Sequence, residues 1–440
     1  MKICFIPIDN RPVCYTLPKN IVEIDDNLEL FIPPREFLGS LTKYANVDKL
    51  FEWIESIPQT DCMIISLDTL AYGGLIPSRR INDSFEQIKS RIERLKPLLK
   101  DKKVYAFSSI MRISNNNYNE EEKEYWKDYG KKIFEYSYST SKTGKPVITS
   151  VPQNILNDYI ETRKRNFRIN KLYLEWEKEG LFDTLIFSKD DCAEYGLNVD
   201  EAREIEKLGG KTKTGADEIP LTLLARAIDK NIKVYIEYTE PDYKGQISNY
   251  EDVSIEQSVL GQLELAGYTY VTDKNDADLI LVVNNFVDKQ GELVMGWQTE
   301  PYKGCFVSPK KPYAVADVRF ANGGDNNFVS QLLNSLPSEK FYGYSGWNTS
   351  ANTLGSLLAG IKARWGSSYN TEAFNKLQVI RFLDDWAYQA NVREKINAPC
   401  EIKQMMLPFE SKVSKAFQVN TSNINYTYPW NRRFEIEVTI

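Results

Sequence analysis

About eight short apolar runs punctuate the first 317 residues, and none shows polar–apolar alternation. They lie at residues 2–8, 29–33, 62–67, 103–108, 185–187, 232–237, 278–284 and 313–316, with helix-period sequence between most of them. A strand wetted on one face alternates, whereas a strand covered on both faces stays apolar throughout. Such runs therefore predict a mostly parallel sheet with helices on both sides. Eight of them predict an α/β fold with a (β/α)8-barrel-like core over residues 1–340 and a possible sub-boundary near 225. Residues 341–440 then read as a C-terminal helical region ending in a strand. The alternative is two doubly wound α/β domains, which residues 232–317 also fit. Both architectures share one local pattern, and 440 residues suffice for either.

Polar residues recur where these runs end: Asp9, Arg11, Arg35, Asp68, Arg112, Asp190, Asp191, Glu237, Asn284 and Asp317. In parallel α/β folds chemistry collects at these strand ends, and in a closed barrel all would converge on one pocket. The stretch Thr184 to Gly196 is the most pointed, because its strand runs into the adjacent carboxylates Asp190 and Asp191. Neighbouring acids repel, so one holds its proton to higher pH while the other stays anionic. A donor beside an anion is what glycoside cleavage needs. The plainer alternative is that one aspartate caps the following helix and the other is solvated.

The chain has no histidine. This excludes Ser-His-Asp and Cys-His triads and histidine-ligated zinc, leaving proton transfer to Asp, Glu, Lys, Tyr or Arg. Six cysteines stand far apart with no C-x-x-C pair, suggesting neither a metal framework nor disulfides. A net charge of −6 with interspersed signs lacks the footprint of a nucleic-acid binder. The N-terminus shows no signal-peptide core and no run approaches the ~18 residues of a membrane span. The expectation is a cytoplasmic protein without membrane or nucleic-acid partners and without a cofactor or metal. Its oligomeric state is not legible.

Later segments add candidates. Asp217 sits where Gly215 leads into a helix, and Asn322 belongs to an Asn-Gly-Gly-Asp turn. Residues 341–355 are rich in aromatics, glycines and amides; Trp347 beside Asn348 suits a pyranose, the ring against its apolar face and the amide on its hydroxyls. The alternative is a helix entry with Trp347 packed inside. A long helix is expected from Phe374 to Val392, its charges Arg381, Asp384, Asp385 and Arg393 forming a solvated or bridging face. The tail from Tyr428 alternates like a terminal strand.

Six segments together resemble a bacterial family of unknown function whose members open with I-P-x-D-x-R-P: Ile-Pro-Ile-Asp-Asn-Arg-Pro, Ser-Leu-Asp-Thr-Leu-Ala-Tyr-Gly-Gly-Leu-Ile-Pro-Ser-Arg, Lys-Asp-Asp-Cys-Ala-Glu-Tyr-Gly, Gly-Ala-Asp-Glu, Ala-Asn-Gly-Gly-Asp-Asn and Gly-Trp-Asn-Thr-Ser-Ala-Asn-Thr-Leu-Gly. That resemblance spans nearly the whole chain and implies no activity. Asp190-Asp191 alone is similar to the catalytic pair of O-GlcNAcase-type hexosaminidases, which are barrels. That similarity implies that Asp190 orients a substrate acetamido group and Asp191 protonates the leaving oxygen.

The expected function is hydrolysis of a small sugar or N-acetylaminosugar derivative, with Asp190 and Asp191 catalytic. Asp9, Arg11, Asp68, Arg112, Asp217, Asn322, Trp347 and Asn348 would bind the carbohydrate. One alternative is a Mg²⁺- or Mn²⁺-dependent phosphoester or lyase enzyme, with Asp9, Asp68 and Asp191 on the metal and Arg11, Arg79 and Arg112 on phosphate. Another is a non-catalytic sugar-binding protein.

Overall fold

The computed structural model describes residues 1–190 and 192–440. It divides into two compact units. The first comprises residues 1–15, 29–220 and 250–252; the second comprises 16–28, 221–249 and 253–440.

The first unit is built on six strands: β1 (Lys2–Ile6), β2 (Glu29–Phe31), β3 (Cys62–Ser66), β4 (Lys103–Ile110), β5 (Thr184–Lys189) and β6 (Thr212–Thr214). All pair in parallel, in the order β2-β1-β3-β4-β5-β6. Every residue of β3 and β5 is buried, as the unbroken apolar runs require. Helices cover the sheet through one stripe each. Val47–Ser56 buries Leu50, Phe51 and Ile54, and Phe85–Glu93 buries Ile88 and Ile92. Their starts are fixed locally: Asn46 accepts from Lys49 N, and Ser84 with Gln87 forms a capping box. Each such apolar side chain contributes about 1.5–3 kcal/mol on burial.

The second unit repeats the plan. Its strands are β7 (Lys233–Tyr238), β8 (Thr269–Tyr270), β9 (Leu279–Asn284), β10 (Gly291–Glu292), β11 (Tyr313–Asp317), β12 (Phe320–Ala321), β13 (Phe341–Ser345), β14 (Asn425–Thr427) and β15 (Glu437–Thr439). Five form a parallel sheet in the order β13-β11-β9-β7-β8. A short parallel pair, β10 with β12, and an antiparallel pair, β14 with β15, lie apart from it.

Both sheets are open, so the barrel expectation is corrected to the doubly wound alternative. In each unit the first strand lies between the second and the third, which means the winding direction reverses after the second strand. A barrel needs constant winding and a last strand that reaches the first. The expected helical appendage is corrected as well, because Phe341–Ser345 is an edge strand of the second sheet. Gly343, at φ 142°, coincides with a register shift against β11 and hides the strand from pattern reading. In the tail only Glu437–Thr439 is strand, following a 3-10 turn at Pro429–Asn431. No helix among the described residues is long and apolar enough to cross a membrane.

Candidate functional site

In the first unit the winding reverses between β1 and β3. Open α/β sheets leave a crevice at that point, outside the strand ends, where ligands bind. Asp68 sits there in the helix Leu67–Tyr72, which begins directly after β3. Thr69 Oγ1 ties this helix to the end of β1, donating to Pro7 O at 2.7 Å and Ile8 O at 3.1 Å. Asp68 is 1% exposed, and its Oδ2 accepts Ser109 N, from β4, at 2.8 Å. Burial pushes its carboxyl up to about 7, against the stabilising effects of the Ser109 bonds and the Arg79 charge. Gly73 (φ 89°) and Gly74 (φ 130°) then end that helix and start the next, Leu75–Arg80, which carries Arg79.

Asp9, just beyond β1, grips Arg11. Its Oδ1 accepts Arg11 N and its Oδ2 accepts Nε, both at 2.9 Å. The same guanidinium reaches Asp217, with Nη2 at 2.5 Å from Oδ1 and Nη1 at 3.3 Å from Oδ2. Asp217 follows β6, so Arg11 joins the first strand's exit to the last strand's exit. Burial raises the Asp217 carboxyl's proton affinity, and Arg11 opposes it.

A third group comes from the exit of β4. Arg112 reaches Glu121 at 2.7 Å, Glu122 at 3.3 Å and Asp190 at 3.5 Å. Arg79 approaches the same two glutamates, at 3.5 Å and 3.4 Å, with a side chain only 1% exposed. Its Nε and Nη1 have no hydrogen-bond acceptor among the described residues. Arg163 braces this loop from behind, donating to Met111 O at 2.8 Å while paired with Glu201 at 2.6 Å.

Six of the expected residues, Asp9, Arg11, Asp68, Arg112, Asp190 and Asp217, are thus gathered at the C-terminal edge of one sheet. Asp191 lies outside the described residues. Asn322, Trp347 and Asn348 belong to the second unit. Trp347 is 2% exposed and packs edge-on to Phe434, so it offers no face to a sugar, and the packed reading of it is the right one. Asn348 is spent on its surroundings: its Oδ1 accepts Thr349 N and Asn352 Nδ2, and its Nδ2 donates to Asn322 at 3.4 Å. Glu237 pairs with Lys274 on a half-exposed face.

The corresponding crevice of the second unit is filled from within. Arg319 donates to Asn284 and Glu240 across it, and Asp317 accepts from Asn284 at 2.7 Å and Asp325 N at 2.8 Å. Burial, then the neighbouring Asp325 charge, raises Asp317 to about 7. Arg381, Asp384, Asp385 and Arg393 are buried, which corrects the solvated reading of that face.

Sequence reading missed Glu121 and Glu122 as partners of the site's arginines. They sit in the irregular stretch before the helix Trp126–Thr143, where no periodicity assigns a side chain to a face. Among the described residues, no three Asp, Glu or Cys side chains are grouped to hold a metal ion. Two described cavities of this unit, of about 620 and 700 Å³, flank Ile81–Asp83 instead of the crevice.

No curated protein and no solved structure matches the chain. A profile for a family described as a protein of unknown function (DUF4127) matches residues 3–439.

Proposed function

The chain belongs to that family, and from the geometry of its first unit we propose a hydrolase that cleaves the glycosidic bond of a small, neutral sugar derivative by carboxylate acid–base chemistry. One observation carries this: at the crevice a buried acid raised to about 7, Asp68, lies in the field of a buried guanidinium, Arg79, with donors to spare. A carboxyl titrating near neutrality can deliver a proton and take it back. With no histidine in the chain, a carboxyl raised in this way is the group we assign to that work.

In this reading Asp68 protonates the leaving oxygen. Water adds to the anomeric carbon, and its proton passes to a carboxylate. Asp190, beside Arg112, is the anionic partner; on an N-acetylamino sugar it would orient the acetamido group. Asp9, Arg11, Arg112 and Asp217 hold hydroxyls. Carboxylates accept from hydroxyls and guanidiniums donate to them, so a mixed wall suits a polyol. The local charge supports a neutral substrate over phosphate, because Asp9, Asp190, Asp217, Glu121 and Glu122 outnumber Arg11, Arg79 and Arg112. The cytoplasm is our reading of where the reaction takes place.

The test is release of 4-nitrophenol from a panel of 4-nitrophenyl glycosides. Wild type should turn over at least one, with or without EDTA, and Asp68→Asn should lose about 10²- to 10⁴-fold in kcat with its circular dichroism unchanged. A comparable loss in Asp191→Asn with Asp68→Asn unaffected would move the proton to Asp191. Abolition by EDTA would favour the metal-dependent reading.

A further inference from the structure

The second unit carries a polar cluster that this reaction does not use. The helix that starts at Thr371 is α-helical to Arg381 and becomes a π-helix over Phe382–Val392. Its last turn closes with Arg393 N donating to Tyr388 O at 2.8 Å, five residues back. In an α-helix, residues five apart point about 140° away from each other. The π form brings them into line, so Asp384 and Gln389 share a face. Gln389 Nε2 donates to Phe434 O at 2.9 Å and lies 3.5 Å from Asp384 Oδ1, while its Oε1 accepts Arg393 Nη1 at 2.9 Å.

Asp384 and Arg393 therefore flank one amide. Burial and the Asp385 charge raise the Asp384 carboxyl to about 7 against the nearby arginines, and Asp384 and Arg393 form no ion pair with each other. Asp384 is 7% and Arg393 9% exposed. Neither Asp384 Oδ2 nor Arg393 Nη2 has a hydrogen-bond partner among the described residues. The nearest anion to Arg393 is the exposed Glu394, at 3.9 Å. Asp385 does not fill the gap, since it is held by Arg381 at 2.6 Å and Gly346 N at 2.8 Å. Phe434, 5.2 Å below the Arg393 guanidinium, is the apolar neighbour. Neither atom is sealed from solvent, so water or a ligand's hydroxyls can join the acid to the cation.

We propose that Asp384, Gln389 and Arg393 form a second ligand site, for a neutral sugar or polyol that presents adjacent hydroxyls. One hydroxyl donates to Asp384 Oδ2, and its neighbour accepts from Arg393 Nη2. Above about pH 7, where Asp384 is ionised, the acid and the guanidinium balance each other, so a neutral ligand leaves no net charge buried. A zwitterionic amino acid would match the pair but would bring two more charges out of water. The site is independent of Asp68.

The experiment is thermal-shift and calorimetric titration of the full chain with glucose, N-acetylglucosamine, myo-inositol, glycine and glutamate. At least one sugar or polyol should raise the Tm, and Asp68→Asn should keep that response. Asp384→Asn and Arg393→Met should each weaken binding more than tenfold. Gln389→Leu, which removes the shared amide and leaves both charges in place, should do the same if either of those variants fails to fold. No response to any sugar or polyol in wild type would overturn the assignment. So would a response that survives in the Asp384 and Arg393 variants, one lost in Asp68→Asn, or one confined to the amino acids.

Discussion

At the scale of single residues the account turns on burial against charge. Asp68 has no ion pair among the described residues, and burial wins, raising it to about 7. A raised carboxyl pKa has a definite sign in stability. Near pH 4 the acid is mostly protonated in the fold and only partly ionised in the unfolded chain. As pH rises toward 7 the unfolded chain gives up this proton and the folded one keeps it, so stability falls, then levels off above about 7. Asparagine cannot ionise. The melting temperature of Asp68→Asn relative to wild type should therefore climb between pH 4 and pH 8, by an amount worth on the order of 1–4 kcal/mol. A difference that stays flat over that range would mean Asp68 is an ordinary solvated carboxylate, and one that falls would mean the fold stabilises its anion. Asp9, Arg11, Asp68, Arg112 and Asp190 were legible because each stands where an apolar run ends, and Asp217 because it stands where a glycine leads into a helix. Glu121, Glu122 and the spare donors of Arg79 were not, because their meaning lies in which distant side chains they meet.

At the scale of elements, short connections set the geometry. Gly74 has φ 130° and ψ 178°, a conformation closed to other residues, and a Cβ there would come 3.2 Å from Ile8 O. Gly74→Ala should cost about 1–3 kcal/mol in urea unfolding, and activity should fall further than stability does because the helix bearing Arg79 starts there. An alanine variant as stable and active as wild type would show that this turn places nothing. The strands buried on both faces, β3, β5, β9 and β11, could be read in the sequence, and so could the partly exposed β2 and β7, because their residues are mostly apolar or aromatic. Thr212–Thr214 has no apolar residue, and Phe341–Ser345 is interrupted by glycine, so neither announced itself. The π-helix escaped for a different reason. An α-period reading puts Asp384 and Gln389 on different faces, and only the five-residue bonding brings them together.

At the scale of the whole molecule, two open sheets replace the expected barrel, and local pattern had no means of separating them. What distinguishes them is strand order, which is set by where each chain segment returns. The units are also not successive stretches of chain, since residues 16–28 belong to the second. There Asp25 pairs with Lys230 at 2.8 Å, Ile24 O accepts Asn370 N at 2.8 Å, and Thr16 donates to Glu437 at 2.6 Å. A fragment of residues 221–440 should therefore lack a cooperative thermal transition by circular dichroism. A sharp two-state transition in that fragment would mean the N-terminal segment is dispensable to it.

The most direct measurement is the pH dependence of kcat/KM on whichever glycoside wild type cleaves best. A general acid must be protonated to act, so the rate should fall as pH rises through about 7, the region to which burial moves Asp68. The residual rate of Asp68→Asn should show no such limb. An unchanged limb in that variant, or no turnover of any glycoside by wild type, would contradict the account.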